Sequence, residues 1–243
     1  MRYYSTLIVC IGLLLPGWLQ AQLPSFYSEW QSLKILQTTD PIFPHEVLQL
    51  AVKEGEARVV INVDPDGKLK EWLVVGYTMP QFASVAVSAV KQWKFEPARW
   101  RGESVGTVVE LVFHFETHGT LVISQNVSEV LESHLVHMME QTYAFRTYSL
   151  RELDRIPTPI ATVKPSYSPD LAAKGITGKV SVDFFIDETG SVRMPAVSAN
   201  DDVHLTALAI DALRQWKFEP PTHNGRPVLA KAVQVFNFGT GKQ

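Results

Sequence analysis

One short string in the sequence matches a motif of known chemistry. Residues 102–106 read Gly-Glu-Ser-Val-Gly, which is the Gly-x-Ser-x-Gly spacing that serine hydrolases use to present a nucleophile. That chemistry needs a strand before the serine and a helix after it, because the strained turn between them exposes the hydroxyl. Here Ser104 follows a predicted helix and leads into a predicted strand. A hydrolase is therefore the weakest of the functional hypotheses.

Two histidines and a glutamate have the spacing of a metal site on a helix. His134, His137 and Glu140 lie one helical turn apart, and side chains at i and i+3 can share an ion. His134 also falls in register with the apolar residues Val127 and Leu131, which predicts a packed histidine instead. We therefore predict no metal ion and no cofactor.

The remaining candidates for chemistry are interpreted as structural. Asp64 and Asp187 occupy matching places in two Asp-x-x-Gly turns, and carboxylates in separate turns do not converge as an acid–base pair must. We interpret both as turn caps. Trp93 and Trp216 lie on apolar helical stripes and are predicted to be core residues rather than a ligand-stacking surface. The sequence thus predicts a protein that is not an enzyme.

Composition excludes several further classes. The chain has 243 residues, of which 46% are hydrophobic and 19% are charged, which is a globular composition. The formal net charge of −3 gives no basic surplus of the kind that nucleic-acid binders carry, so we expect no nucleic-acid partner. A single cysteine excludes a disulfide framework.

The N-terminus has the pattern of an export signal. Arg2 is followed by an apolar stretch to Leu15, then Pro16-Gly17, and we predict a signal peptide over residues 1–21 with cleavage after Ala21. The alternative is an uncleaved helix that anchors the chain in the inner membrane, since the apolar run approaches the length of a membrane span. The predicted location is the periplasm.

The sequence contains an internal duplication. Gln-Trp-Lys-Phe-Glu-Pro at 92–97 recurs at 215–220, and the same offset of 123 brings Gly55 onto Gly178 and Gly67 onto Gly190 without a gap. We divide the chain into a signal peptide (1–21), an N-terminal segment (22–40), a first repeat (41–117), a connector (118–159) and a second repeat (160–243).

Both repeats show one order of elements. Apolar residues alternate over 57–63 and 180–186, which predicts a strand with one buried face, and an Asp-x-x-Gly turn leads into a second strand. An apolar stripe at helical spacing follows, over 82–93 and 205–216, and then a last strand. The predicted fold class is α+β, with a three-stranded antiparallel sheet packed by helices in each repeat. Because such small modules are marginally stable alone, we expect them to pack against each other or the connector.

Segments outside the repeats are less regular. The helical spacing from Val127 to Met139, with Asn126 and Glu129 as a capping pair, predicts a helix in the connector. The prolines between 157 and 169 predict an extended chain. Within 22–40, the apolar residues from Trp30 to Leu36 hint at a short helix.

Together these motifs resemble the C-terminal domain of TonB, the periplasmic energy transducer, in two tandem copies. The motifs that carry the resemblance are the aromatic-proline pair Phe43-Pro44, the alternating strand and turn from Gly178 to Gly190, and Trp-Lys-Phe-x-Pro at 216–220. The resemblance implies binding of an extended segment of an envelope or outer-membrane transport protein, added as a strand to the sheet edge.

The last strand of each repeat is the predicted edge. Its positions off the core face are Val108, Glu110, Val112 and His114 in the first repeat and Lys231, Val233, Val235 and Asn237 in the second. Two alternatives stay open. The edges could pair within a homodimer, or the protein could be a divergent, membrane-anchored energy transducer. The short connector and the cleavable N-terminus favour a periplasmic binding protein over a transducer, with membrane contact only through a partner.

Overall fold

The structure is a computed structural model that describes residues 30–126, 142–197 and 203–239. The predicted signal peptide lies outside these ranges. So does most of the predicted connector helix, including His134, His137 and Glu140. Asn126, predicted as its cap, is instead the last residue of a strand.

The described chain alternates short strands with few helices. The first half contains β1 (Trp30–Gln31), β2 (Lys34–Gln37), α1 (His45–Leu48), β3 (Glu54–Val63), β4 (Leu69–Tyr77), α2 (Pro80–Val90), β5 (Lys94–Glu96), β6 (Ala98–Trp100), β7 (Glu103–Val105), β8 (Thr107–Glu116) and β9 (Gly119–Asn126). The second half contains β10 (Phe145–Arg146), β11 (Tyr148–Ser149), a 3₁₀ turn (Leu150–Glu152), β12 (Pro159–Ala161), α3 (Pro169–Ala173), β13 (Gly178–Ile186), β14 (Val192–Val197), α4 (Val203–Leu213), β15 (Lys217–Phe218), β16 (Thr222–His223), β17 (Arg226–Pro227) and β18 (Ala230–Phe238).

The two repeats share a three-stranded antiparallel centre, so the α+β class is confirmed. The centre has the order β4-β3-β8 in the first repeat and β14-β13-β18 in the second. The predicted strand number is wrong, because segments outside the duplicated stretch add strands to both centres. The first sheet has five strands in the order β10-β4-β3-β8-β9, and the second has four in the order β11-β18-β13-β14.

The two Asp-x-x-Gly turns have the same hydrogen-bond geometry. The Oδ1 of Asp64 accepts hydrogen bonds from the backbone N–H of Asp66 at 2.9 Å and of Lys68 at 2.8 Å. Asp187 does the same for Thr189 and Ser191, at 3.0 and 2.9 Å. Both aspartates are therefore turn caps, as predicted. Backbone N–H donation, led by Lys68, lowers the pKa of Asp64 below its ordinary value.

The glycines of these turns need their lack of a side chain. Gly67 and Gly190 have φ of +79° and +82°, and a Cβ on either would collide with a backbone carbonyl oxygen, of Phe95 and Phe218 respectively. The turn thus packs directly on the Trp-Lys-Phe strand of its own repeat. This contact links the two most recognisable motifs of the sequence in space.

The helix face of each sheet forms a separate apolar core. The first is built on Ile61, Phe82, Leu111 and Phe113, and the second on a matching set from β13, α4 and β18. Trp93 is buried, and its indole N–H donates to the carbonyl of Thr39 at 3.0 Å. In the second repeat, Trp216 is half-buried and donates to Val163 at 2.8 Å. Both tryptophans are core residues that also fix the chain leading into their repeat.

The opposite faces of the two sheets meet. A third apolar cluster joins Val60 and Val75 of the first repeat to Phe185, Met194 and Leu229 of the second. Arg193 of β14 reaches across to Glu71 of β4 with 2.6 Å between its Nε and the carboxylate oxygen. The expected packing between repeats is thereby confirmed, and the order of layers is helix, sheet, sheet, helix.

The segment before the first repeat is extended rather than helical. Trp30 and Gln31 pair with β6, and 34–37 pair with β5, so the apolar residues around Ile35 alternate along strands. The hint of a helix here is wrong because β5 and β6 offer unpaired backbone groups that a short segment satisfies as a strand. In the second repeat β12 pairs with β15 in the same manner, as the extended proline-bearing stretch predicts.

Candidate functional site

The last strand of the first repeat is paired on both sides over residues 109–116. Strand β8 pairs with β3 on one side, and on the other with β9, from Val109 opposite Asn126 to Glu116 opposite Gly119. The chain reverses through Thr117 and His118 and covers the outer side of β8. The expected edge at Glu110, Val112 and His114 is thus corrected, because a segment of the connector occupies it, while Val108 precedes the paired stretch.

Side chains of this covered strand belong to a buried polar network. The carboxylate of Glu110 lies 2.6 Å from Nη2 of Arg58 and 2.7 Å from its Nε, and the two residues are 4% and 8% exposed. The Nδ1 of His114 lies 3.0 Å from the carboxylate of Glu56, which is 2% exposed. Their positions on β8 therefore serve the interior of the protein and not a docking surface.

The connector completes this network. The hydroxyl of Tyr143 donates to the carboxylate of Glu56, and burial raises the pKa of Tyr143 well above its ordinary value. The backbone of Ala144 donates to Tyr77 at 3.0 Å, just before β10 joins the edge of β4. Residues 143–146 therefore fasten the connector to the first repeat.

The last strand of the second repeat is open over most of its length. Strand β18 pairs with β13 from Ala230 to Phe238, but β11 pairs on its other side only at Ala230 and Lys231. Within the described residues no strand pairs with that side from Ala232 onward. This stretch is the part of the predicted edge that the structure leaves accessible.

One hydrogen bond fixes which backbone groups face this open side. The N–H of Tyr148 in β11 donates to the carbonyl of Leu229 at 2.9 Å, so the carbonyl of Leu229 points away from β13. Backbone groups alternate in direction along a strand. The N–H and C=O groups of Val233, Val235 and Asn237 therefore also point outward, six hydrogen-bonding groups in all, of which the C=O of Val235 already accepts a hydrogen bond from the Gln234 side-chain amide at 2.9 Å.

The side chains of the open stretch are apolar or neutral. Val233 is 52% exposed, Val235 is half-buried and Asn237 is exposed. Lys231 differs, because it is turned toward the sheet-to-sheet interface, where its Nζ lies 3.9 Å from Asp183. Burial lowers the pKa of Lys231 and raises that of Asp183. Lys231 is thus part of the interface between repeats.

Ser104, the candidate for catalysis, is not part of a hydrolase site. Ser104 lies in the middle of β7, which pairs with β6 across the turn at Arg101 and Gly102, so no helix follows it. The strained strand-to-helix turn of a hydrolase is therefore missing around Ser104. Over residues 30–126, 142–197 and 203–239, no group of three or more His, Cys, Asp or Glu side chains could hold a metal ion.

Sequence reasoning missed the three strands that the connector contributes. Residues 120–124 read Thr-Leu-Val-Ile-Ser, a run rich in β-branched residues between turn residues, which is a strand signal. The strands at 145–149 are two residues each, and no pattern of that length predicts a strand.

Comparison with protein families agrees with this geometry. The family model for the Gram-negative bacterial TonB protein C-terminal matches residues 40–117 and 163–240, more than half of the chain. None of the curated proteins compared matches the chain. Among the described residues, no helix has the length and apolar character needed to cross a membrane. With two matched stretches and one shared sheet order, the chain belongs to the TonB C-terminal family and carries that domain twice in tandem.

Proposed function

We propose that this protein binds extended segments of outer-membrane or other envelope transport proteins in the periplasm, and that the segment adds as a strand to β18. The observation that carries this proposal is the open side of β18, where Val233, Val235 and Asn237 turn six backbone groups outward. An extended peptide satisfies such groups with main-chain hydrogen bonds. Membership of the TonB C-terminal family supports the choice of partner.

Two segments of the connector already pair with the outer sides of these sheets, which supports the proposal. Residues 119–126 lie antiparallel on β8, and Tyr148–Ser149 lies parallel on β18. The two repeats therefore have different roles in this proposal. The first repeat has its corresponding edge closed and supports the fold, whereas the second keeps its edge for a partner.

The open stretch defines the chemistry of the partner. Strand β11 blocks Ala230 and Lys231, so the footprint begins at Val233 and holds a segment of about five to seven residues. On the face away from α4 the segment contacts Val233 and Val235, which favours apolar or β-branched side chains at alternate positions. The binding step needs no catalytic residue, metal ion or cofactor.

Proline scanning of β18 tests the proposal. Val235→Pro removes an outward N–H and places a ring on the open side, yet it keeps the ladder to β13, because proline is tolerated where the N–H faces away from the sheet. We expect immobilised Val235→Pro to lose capture of detergent-solubilised outer-membrane proteins while the melting curve stays near that of the wild type. Val235→Thr, which changes the side chain alone, should capture normally.

A second proline variant separates edge from fold. Gln234 turns its backbone toward β13, so Gln234→Pro should break the ladder and unfold the second repeat. Captured proteins are identified by mass spectrometry. Capture that is unchanged by Val235→Pro would exclude β18 as the binding edge.

A further inference from the structure

A two-residue hairpin loop lies at the same place in both repeats, and of the two loops only the second contains asparagine followed by glycine. Strands β16 and β17 are joined by Asn224-Gly225, and β6 and β7 are joined by Arg101-Gly102. The φ angles are +52° and +72° in the second repeat and +50° and +84° in the first, which is the left-handed geometry of a type I′ turn. The two loops therefore present the same backbone with different side chains.

Asparagine followed by glycine is a dipeptide prone to deamidation, and asparagine is one of the thermolabile residues. The backbone nitrogen of the glycine loses its proton and attacks the side-chain Cγ of the asparagine, a C–N bond forms, and ammonia leaves. The resulting succinimide takes up water and opens to aspartate or isoaspartate. Glycine has no side chain to obstruct the attacking nitrogen. Asn224 and Gly225 are both exposed, so water reaches the loop.

The carboxylate of Asp154 holds both backbone nitrogens of this loop. Its Oδ1 accepts the N–H of Asn224 and its Oδ2 accepts the N–H of Gly225, each at 2.8 Å. Backbone N–H donation, led by Gly225, lowers the pKa of Asp154, so the carboxylate is charged at neutral pH. A deprotonated nitrogen at Gly225 would face this negative charge, and its attack would also turn it away from the carboxylate. Asp154 therefore opposes the first step of deamidation.

We propose that Asn224 is a deamidation site and that Asp154 sets the rate of its reaction. Deamidation would also loosen the connector, because the same hairpin holds it. The N–H of Asp154 donates to the carbonyl of Thr222 at 2.9 Å, and Nδ1 of His223 lies 2.6 Å from the carbonyl oxygen of Glu152. Isoaspartate adds a methylene group to the backbone of the loop, so one carboxylate no longer spans both N–H groups. This inference does not rest on peptide binding at β18.

Mass spectrometry of the full chain during warm incubation at mildly alkaline pH tests the site. Deamidation should be located at residue 224, with isoaspartate in the peptide that contains it. We expect Asp154→Ala to speed the reaction at least about tenfold over the wild type, the factor expected when a hydrogen bond to a charged acceptor is lost. A rate that Asp154→Ala leaves unchanged overturns the proposal, as does the absence of reaction in both proteins.

Arg101→Asn supplies a matched control in the same molecule, because it creates an asparagine–glycine pair in the loop of the first repeat. There the carbonyl of Gly102 accepts from Arg99 at 3.2 Å, and within the described residues no carboxylate accepts the N–H of Gly102. The new pair should react at least about tenfold faster than Asn224 in the same sample. Equally slow reaction at both loops would mean that the turn alone protects them, and would exclude the role of Asp154.

Limited proteolysis tests the release of the connector. Ion exchange separates the deamidated fraction of the wild type by its added negative charge, so both forms come from one preparation. Trypsin should cut after the exposed residues Arg151 and Arg155, on either side of Asp154, faster in the deamidated form. Equal rates of cleavage would overturn the release.

Discussion

The ion pair between Arg58 and Glu110 allows a quantitative test of how the first edge is closed. From sequence, Glu110 is a predicted contact for a bound peptide, whereas the structure buries it against Arg58 at 2.6 and 2.7 Å. Removing the carboxylate therefore leaves a guanidinium uncompensated in the interior. We expect Glu110→Ala to lower the free energy of unfolding by about 3–5 kcal/mol.

Two further variants separate burial from charge. Replacing both partners, as Arg58→Leu with Glu110→Leu, removes the charges together and should recover most of that loss, since buried pairs can be exchanged for apolar residues at little cost. The exposed pair of Lys34 and Glu96, 3.4 Å apart, is the matched control. Glu96→Ala should cost at most about 1 kcal/mol.

Urea unfolding of the full chain, followed by tryptophan fluorescence, measures all these variants. Because the pair is screened little by salt, the loss in Glu110→Ala should be the same at low and high ionic strength. A loss below about 1 kcal/mol, or one that disappears in salt, would mean that the pair is solvated. The first edge would then be open to partners, contrary to our reasoning.

Three further predictions follow from single contacts. Gly190→Ala should destabilise the second repeat by clearly more than Gly225→Ala. Both glycines have a positive φ, but of the two only a Cβ at Gly190 would meet a backbone carbonyl. Thermal melts compare the two variants, and equal losses of stability would contradict the close turn contact. Partial burial favours a higher pKa for Glu152, but hydrogen bonds from Arg146 and Ser149 outweigh it and lower the pKa to about 2. The stabilising effect of Glu152 should therefore be present above pH 4.5 and be lost as the pH falls toward 2, so that Glu152→Gln and wild type converge in acid unfolding. Finally, N-terminal sequencing of protein from a periplasmic fraction should begin at Gln22, and retention of residues 1–21 in the inner membrane would favour the anchored transducer instead.

Local patterns were sufficient for the repeated centre of each sheet. Alternation over 57–63, the Asp-x-x-Gly turn and the helical stripe ending at Trp93 depend on neighbours in sequence, and each recurs 123 positions later. Such patterns predict an element because they fix which face is buried before any partner is known. Because each of these patterns occurs twice, the duplication strengthens the resemblance to the TonB C-terminal family.

Those local patterns do not predict which strand of each sheet has a free edge. Whether β8 or β18 is free depends on where the connector goes, and that path is set by long-range contacts such as Tyr143 with Glu56 and Tyr148 with Leu229. Two-residue strands carry no periodicity, because their stability comes from the sheet that they join.

By itself the sequence determined the fold class, the duplication, the turn caps and the family of this protein, since all of these follow from local spacing. Only the tertiary structure decided that the first edge is closed by β9 and that β18 stays open from Val233 onward. It also showed that Glu110, a surface candidate from sequence, is a buried ion and that Lys231 is a partly buried one. The physical reason is that an edge is defined by the absence of a neighbouring strand, and neighbours in space are set by the whole fold.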